Sequence, residues 1–194
     1  MKAIFVLLLL VVAFGSLGAE ALVTLGPGMD LVSRNLDVAG ELNFAALGFQ
    51  GLVFSGNRLG FLAAASFSFL PLGIELNGAE LSPGSFDQSF VLDLFWGAAY
   101  RLAAGERFRL LTALGLHGAQ LSLVHETDPL KVFGRELALG AGVNLSAHYK
   151  LRRRLLLTLQ LKGAYDFYSY AYFKDRELSS GISLGGNLGV GVAF

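Results

Sequence analysis

Large apolar residues alternate with small or polar residues along most of this chain. The C-terminal segment shows the pattern most clearly, with one parity occupied by Ile182, Leu184, Leu188, Val190, Val192 and Phe194. The opposite parity, between residues 183 and 193, holds only Ser, Gly, Asn and Ala. Successive side chains of a β-strand point to opposite faces, so a period of two predicts a strand rather than a helix. The segment therefore predicts a strand that runs to the last residue.

The same alternation recurs in residues 89–101, 108–117, 136–150 and 155–168. In these segments and the last one, every charged residue falls on the face opposite the large apolar residues: Asp93, Arg101, Arg109, Glu136, Lys150, Lys162 and Asp166. A random distribution would give this result roughly once in a hundred cases. The period of two is therefore a real feature of the chain.

Breaks in the alternation divide the chain into eight predicted strands, near residues 22–32, 44–55, 59–69, 89–101, 108–121, 136–149, 155–168 and 182–194. Short connections alternate with longer ones, the short ones at 56–58, 102–107 and 150–154 and the longer ones at 33–43, 70–88, 122–135 and 169–181. The first two strands fit least well. Pro27 cannot donate a ladder hydrogen bond, and the outward parity changes around residues 45–51, which indicates a β-bulge.

The polar face of these strands is unsuited to water. It is mostly Gly, Ala, Ser and Asn, and only 15% of the whole chain is charged while 54% is apolar. Small and polar residues suit the interior of a transmembrane barrel, whose large apolar residues face lipid. Segments of ten or more residues are long enough to cross a bilayer when tilted. The pattern predicts an all-β fold, an eight-stranded antiparallel transmembrane β-barrel with short periplasmic turns and longer extracellular loops.

The N-terminal segment predicts export. Lys2 is followed by an unbroken apolar run over residues 4–14, then by GSLG at 15–18 and AEA at 19–21, which is the order of a secretory signal peptide. A membrane anchor is the alternative, but eleven helical residues span only about 16 Å of a core about 30 Å thick. We expect a signal peptide over residues 1–21, cleaved after Ala19 or Ala21, and a barrel domain over residues 22–194.

Charge and cysteine content exclude several functions. The formal net charge is zero, which gives no electrostatic reason to expect a nucleic acid as partner. There is no cysteine and only three histidines in separate segments, so no metal site and no cofactor are expected. Lys150, Arg152, Arg153 and Arg154 form the densest basic cluster. We interpret it as a solvated turn beside the membrane, where positive charge can meet phosphate head groups.

The chain resembles the small eight-stranded outer-membrane barrels of diderm bacteria, the group that includes the OmpX-like and OmpW-like proteins and the OmpA membrane domain. The resemblance is architectural and covers nearly all of residues 22–194. Its one motif is the C-terminal pattern of Leu188, Val190, Val192 and Phe194, which in that group is recognised by the barrel-assembly machinery. The resemblance implies a location in the bacterial outer membrane, with outer-membrane lipid and the assembly machinery as partners.

Two sets of residues are expected to have defined places in such a barrel. Aromatic residues near the strand ends should form two girdles at the membrane interfaces: Phe90, Tyr100, Phe108, Tyr149, Tyr165, Phe167 and Phe194. Polar residues facing inward should form a network in the lumen: Asp93, Arg101, Arg109, His117, Glu136, Asn144, Gln160, Lys162 and Asp166. If the short turns are tight, Asp93 lies opposite His117, Arg101 opposite Arg109, and Asn144 opposite Gln160.

Three functions stay open. The first is a non-enzymatic barrel with a structural or surface-contact role through its loops, where Tyr168, Tyr170 and Tyr172 are the best contact candidates. The second is a narrow, porin-like channel or carrier for small or apolar solutes, although eight strands leave an interior just wide enough for side chains. The third is a lipid-modifying enzyme. His125, Glu126 and Asp128 would be its base and acids, but no nucleophile lies at a telling spacing.

Overall fold

The computed structural model describes residues 20–36, 40–124, 135–172 and 176–194. Within these residues the chain forms nine strands: β1 (Ala21–Leu36), β2 (Gly40–Gly56), β3 (Leu59–Leu76), β4 (Ala79–Leu81), β5 (Gln88–Ala104), β6 (Phe108–Val124), β7 (Arg135–Lys150), β8 (Leu155–Tyr172) and β9 (Arg176–Ala193). One short 3-10 turn, Pro83–Ser85, follows β4. The proposed signal segment up to residue 19 and the candidate enzyme residues His125, Glu126 and Asp128 lie outside the described residues.

The sheet closes on itself. Each long strand pairs antiparallel with its neighbour along the chain, and β1 pairs with both β2 and β9. β4 is a three-residue strand attached to the end of β3 and takes no part in the closure. At the seam, the Phe194 amide donates to the Ala21 carbonyl oxygen at 2.9 Å. The predicted all-β, eight-stranded antiparallel barrel is therefore confirmed.

Several strands are longer than predicted. Residues 33–36 and 40–43 were expected in a long connection, but they belong to β1 and β2 and pair with each other. Residues 169–172 and 176–181 likewise extend β8 and β9. Backbone pairing on β1 continues to Leu36, whereas the last large apolar outward residue of that strand is Leu31, and Ser33 and Asn35 follow it on the same face. The apolar period therefore ends before the strand does.

The irregularities near residue 47 belong to β3 rather than to β2. Even-numbered side chains of β2 point inward without interruption from Leu42 to Phe54, so the predicted change of parity in β2 is wrong. The ladder with β3 skips one residue at Leu72 and another at Phe69. Pro27 lies where the β1–β9 pairing stops after Leu25 and resumes at Gly28. A residue without an amide hydrogen thus lies in an interruption of the ladder.

The two faces of the wall differ as a membrane barrel requires. On β7 the outward residues Leu137, Leu139, Val143, Leu145 and Tyr149 are all exposed, whereas the inward even-numbered residues from Glu136 to His148 are buried. On β8, Leu155, Leu157, Leu159 and Leu161 are exposed in the same way. Among the described residues no helix has the length and apolar character to cross a bilayer.

The lumen is filled by side chains. We call the end of the barrel with the turns 57–58, 105–107 and 151–154 and both strand termini Ala21 and Ala193 the short-turn end, and the opposite end the loop end. A lower apolar cluster fills the lumen toward the short-turn end: Leu22, Leu52, Phe54, Leu62, Ala64, Phe95, Ala99, Leu111, Ala113 and Leu156. An upper apolar cluster lies toward the loop end: Val32, Leu36, Leu42, Phe44, Ala46, Ile74, Val91, Leu121 and Leu123. On β2, β3, β5 and β6, polar residues lie between these two clusters.

Candidate functional site

Every long strand contributes an inward side chain to one polar network, because inward positions recur at every second residue. The charged members are Asp30 and Arg34 on β1, Asp93 on β5, His117 on β6, Glu136 on β7, and Lys162 and Asp166 on β8. Hydroxyl and amide side chains of β2, β3 and β9 complete it. We call this set the lumen network.

His117 is at the centre of the lumen network. Its Nδ1 lies 2.6 Å from Asp166 Oδ1, and its Nε2 lies 2.6 Å from Asp93 Oδ2. A neutral imidazole has one donor nitrogen and one acceptor nitrogen, and an ionised carboxylate only accepts. Two carboxylate contacts therefore require one proton more than a neutral imidazole carries. The extra proton is shared within the group of Asp93, His117 and Asp166.

Lys162 joins two carboxylates on different strands. Its Nζ lies 2.7 Å from Asp93 Oδ1 and 2.9 Å from Asp30 Oδ1, and it donates to Ser66 Oγ at 2.8 Å. Asp30 also accepts a hydrogen bond from Ser68 Oγ at 2.6 Å. The ammonium and both carboxylates are almost fully buried, so each depends on the others for compensation of its charge.

Arg34 extends the lumen network toward the loop end. Its Nε lies 2.9 Å from Glu136 Oε1, and its Nη2 lies 2.8 Å from Asp166 Oδ2. Nη2 also donates to Ser183 Oγ at 3.1 Å, and Ser183 Oγ donates to Asp166 Oδ2 at 3.0 Å. The Arg34 side chain is 0% exposed and that of Glu136 is 3% exposed. The top of the network is therefore sealed from solvent as completely as its centre.

Acids outnumber fixed cations in this network. Asp30, Asp93, Glu136 and Asp166 face Arg34 and Lys162, and the shared proton at His117 removes one of the two excess negative charges. The space beside Asp93, His117 and Lys162 is too small for a water molecule. Charges this deeply buried persist only when they are paired and hydrogen-bonded, and the short contacts described above provide that pairing.

A second, smaller polar group lies at the mouth of the short-turn end. The Glu20 carboxylate contacts Arg101 Nη2 at 2.8 Å through Oε2 and contacts Arg109 Nη1 through Oε1. These three side chains remain 14–22% exposed. Arg101 and Arg109, two like charges, therefore share one counter-ion beneath the lower apolar cluster. They are separated from the lumen network.

The predicted register across the short turns was wrong by two residues. Asp93 lies opposite Ala119, and Arg101 lies opposite Leu111. Asn144 lies opposite Lys162 rather than Gln160. Each turn is centred one residue later in the chain than predicted, which moves every opposing residue by two. Asp93 still reaches His117 because long side chains also meet along the diagonal of an antiparallel pair.

The nine polar residues expected in the lumen are divided among three places. Asp93, His117, Glu136, Lys162 and Asp166 lie in the lumen network, and Arg101 and Arg109 lie at the mouth with Glu20. Asn144 and Gln160 are buried, but among the described residues the Asn144 amide atoms and Gln160 Oε1 have no hydrogen-bond partner. The Asn144 amide group and Gln160 Oε1 therefore form no hydrogen bond with the lumen network.

Sequence reasoning missed two charged members of the lumen network. Asp30 alternates with the outward Met29 and Leu31, so the period of two could have placed it inside. Arg34 shares the parity of Asp30, but it was assigned to a loop because the outward residues around it are polar. The hydroxyls of Ser66, Ser68 and Ser183 gave no signal, since small polar residues are common throughout the inward face.

The aromatic residues expected at the interfaces face outward. Phe108, Tyr149, Tyr165, Phe167 and Phe194 are 44–65% exposed, and Phe90 and Tyr100 are partly exposed. The Tyr100 hydroxyl accepts a hydrogen bond from Arg58 Nε at 2.8 Å. In the C-terminal pattern, Leu188, Val190 and Val192 point outward on the same face as Phe194.

Comparison with known proteins places the fold. The chain matches no protein-family model and no curated protein. It is similar in structure to a major outer membrane protein from Thermus thermophilus, at 16% identity with a TM-score of 0.53, covering 90% of this chain and 99% of that one. It is also similar to outer membrane protein AlkL, solved in lipid bilayers, at 11% identity with a TM-score of 0.52, covering 91% and 90%.

A third similar structure is Ail, the attachment invasion locus protein of Yersinia pestis, at 14% identity with a TM-score of 0.48, covering 91% of this chain and 99% of that one.

The closed eight-stranded sheet and the band of exposed apolar side chains around it define the class of the fold. The chain has the fold of the small β-barrels of the bacterial outer membrane, and its lumen is packed with side chains.

Removal of Lys162 tests the lumen network. Lys162→Gln should lower the free energy of unfolding by about 3–5 kcal/mol, because it leaves Asp30 and Asp93 buried without a cation. Urea unfolding of the barrel refolded in lipid vesicles measures the change. Arg154→Gln, on an exposed turn, is the matched control and should have little effect.

The double variant Lys162→Gln/Asp93→Asn should recover part of the loss, since it removes one unpaired carboxylate together with the ammonium. Equal stability of Lys162→Gln and Arg154→Gln would show that the buried ion pairs are not needed for the fold.

Proposed function

We propose that this protein is a non-enzymatic outer-membrane barrel with a structural or surface-contact role, and that its loop end rather than its lumen carries that role. The observation that supports this most is the sealed interior. The lower apolar cluster, the lumen network and the upper apolar cluster leave Arg34, His117 and Lys162 almost inaccessible to water. A solute crossing the lumen would have to displace paired, buried charges.

The length of the wall supports a surface role. The long strands contain 16 to 18 residues, which is roughly 55 Å along each strand and about 40 Å along the barrel axis when tilted. The apolar band of such barrels is about 25 Å tall. Polar side chains occupy outward positions at the loop end on several strands, namely Ser33, Asn35, Glu41, Asn43, Glu75 and Gln88. Part of the wall would therefore stand above the lipid.

A narrow channel or carrier is the second candidate. The charged lumen is the one feature that favours it, because polar interiors line the pores of larger barrels. Movement of the Arg34–Glu136 pair and of the lower apolar cluster would be required to open a path. Nothing in the packed clusters provides space for that movement.

A lipid-modifying enzyme is the weakest candidate. Among the described residues, one serine–histidine contact has the chemistry of a nucleophile and base, with His148 Nε2 3.0 Å from Ser146 Oγ. The other ring nitrogen of His148 contacts the Thr158 hydroxyl rather than a carboxylate. Both side chains point into the lumen and are fully buried, so a lipid substrate could not reach them.

Export and assembly are proposed to follow the pattern of outer-membrane barrels, with residues 188–194 acting as the assembly signal.

The contacts of Glu20 favour one of the two possible cleavage positions. Its carboxylate pairs with Arg101 and Arg109, and its carbonyl accepts the Gly56 amide at 3.1 Å. We expect cleavage after Ala19, so that the mature chain begins at Glu20. Intact-mass measurement of the membrane-inserted protein checks this, and a chain beginning at Leu22 would contradict it.

Planar-bilayer recording tests the closed lumen. The refolded barrel should add no stable conductance steps, because two apolar clusters fill the lumen on either side of the lumen network and the space beside Asp93, His117 and Lys162 admits no water. The same sample must show the boiling-dependent gel mobility of a folded barrel. Reproducible, concentration-dependent steps from folded protein would instead favour the channel.

Cysteine labelling tests which end is at the cell surface. The chain has no cysteine, so single substitutions report individual sites. Glu80→Cys, on β4 at the loop end, should react with a membrane-impermeant maleimide on intact cells. Arg153→Cys, at the short-turn end, should react only after the outer membrane is permeabilised. Leu159→Cys, on the lipid face, should stay unlabelled in both conditions. Reversed labelling of the first two sites would overturn the proposed orientation.

A further inference from the structure

A groove of about 700 Å³ lies between two neighbouring turns at the short-turn end. One turn connects β5 to β6 and the other connects β7 to β8. The Lys150 amide donates to the Arg107 carbonyl oxygen at 2.7 Å, and the Arg152 amide donates to the Leu155 carbonyl oxygen at 3.3 Å. The first of these bonds joins the two turns, and the second closes the β7–β8 turn, so the backbone holds the two walls of the groove side by side.

The groove is strongly basic. Its lining includes Arg107, Arg109, Lys150 and Arg152, and Glu106 is its one acid. Arg109 forms an ion pair with Glu20. In the part of the chain that the structure describes, no ion pair is found between Arg107, Lys150 or Arg152 and an acid outside the groove. The groove is therefore an electropositive concavity with donors from two turns, a geometry suited to an anion.

The excess of positive charge extends over the whole short-turn end. Among the described residues there, eight side chains are basic (Arg58, Arg101, Arg107, Arg109, Lys150, Arg152, Arg153 and Arg154) and two are acidic (Glu20 and Glu106). At the loop end, the charged side chains described on β2 to β5 are all acidic: Glu41, Glu75, Glu80 and Asp87. The described charges therefore differ in sign between the short-turn end and this part of the loop end.

The apolar residues beside the groove identify the kind of anion. Tyr149 and Leu151 line it and are 44% and 50% exposed. Phe108, which pairs with Tyr149, is 45% exposed on the same outward face. The exposed leucines of β8 begin immediately below, at Leu155 and Leu157. A ligand in the groove would thus contact cations at one end and a lipid-facing apolar wall at the other.

We propose that this groove binds the phosphate head group of an anionic phospholipid in the leaflet that contacts the short-turn end. The Arg107 and Arg152 guanidinium groups would bind phosphate oxygens with paired N–H donors. Lys150 would add a point charge, and the acyl chains would lie along Tyr149, Leu155 and Leu157. A zwitterionic lipid carries a cationic group that this site would repel, so the site favours phosphatidylglycerol over phosphatidylcholine.

Native mass spectrometry of the full mature barrel, refolded in detergent, tests the proposal. The probes are phosphatidylglycerol and phosphatidylcholine with identical acyl chains. The wild-type barrel should retain phosphatidylglycerol in preference. Arg107→Gln/Arg152→Gln should weaken that binding about tenfold or more. Arg153→Gln/Arg154→Gln removes the same charge from the same end but outside the groove, and should leave binding within about twofold.

Each other outcome overturns the site. Equal weakening in the two double variants would mean diffuse attraction to the charged end rather than a groove. Equal retention of phosphatidylglycerol and phosphatidylcholine would show that the site has no preference for an anionic head group. Binding of inorganic phosphate as tight as that of phosphatidylglycerol, at constant ionic strength, would mean a site for free anions rather than for a lipid.

The boiling-dependent gel shift confirms that each variant is folded, and none of the substituted residues belongs to the lumen network. The result is independent of conductance and of surface labelling. A failed lipid experiment would therefore leave the proposed surface role standing, and a conducting barrel would leave the lipid site standing.

Discussion

Closure of the sheet is the constraint on which the rest of the structure depends. In lipid no water is present to pair with backbone N–H and C=O groups, so an open edge would leave a row of them unpaired. The β1–β9 ladder and the Phe194 to Ala21 hydrogen bond remove that edge. A closed wall has only two faces, one toward lipid and one toward the lumen. The strict period of two in the sequence follows from that geometry.

A closed barrel of eight strands then determines what the interior must contain. Its lumen is only wide enough for side chains, and charges placed there must compensate one another. The Arg34–Glu136 contact joins residues 102 positions apart in sequence, and His117 joins β5 to β8 through Asp93 and Asp166. These contacts also fix the register, because a slip of one residue would turn Asp93 and Lys162 toward lipid.

The sequence predicted what depends on local alternation and missed what depends on the exact centre of a turn. Asp93, Glu136, Lys162 and Asp166 could be assigned to the lumen because each alternates with large apolar neighbours. The residues directly opposite Asp93 and Asn144 in the ladder could not be predicted, since a turn centred one residue later moves every opposing position by two. Arg34 was placed in a predicted loop for a different reason. Beyond Leu31 the outward residues of β1 become polar, so the alternation that reveals a strand ends while its hydrogen bonds continue.

The buried lumen network and the distribution of charge between the two ends both support the proposal that this protein acts through its surface. Buried ion pairs that are inaccessible to water hold the strands together, but they cannot meet a ligand without being broken. This supports the proposal that contact with other molecules is made at the outer surface and the two ends. The short-turn end is basic and flanked by exposed Tyr149 and Phe108, whereas the described charges on β2 to β5 at the loop end are acidic. Under the proposed surface role, the opposite charges of the two ends would favour different partners, while the buried ion pairs of the interior contribute to stability.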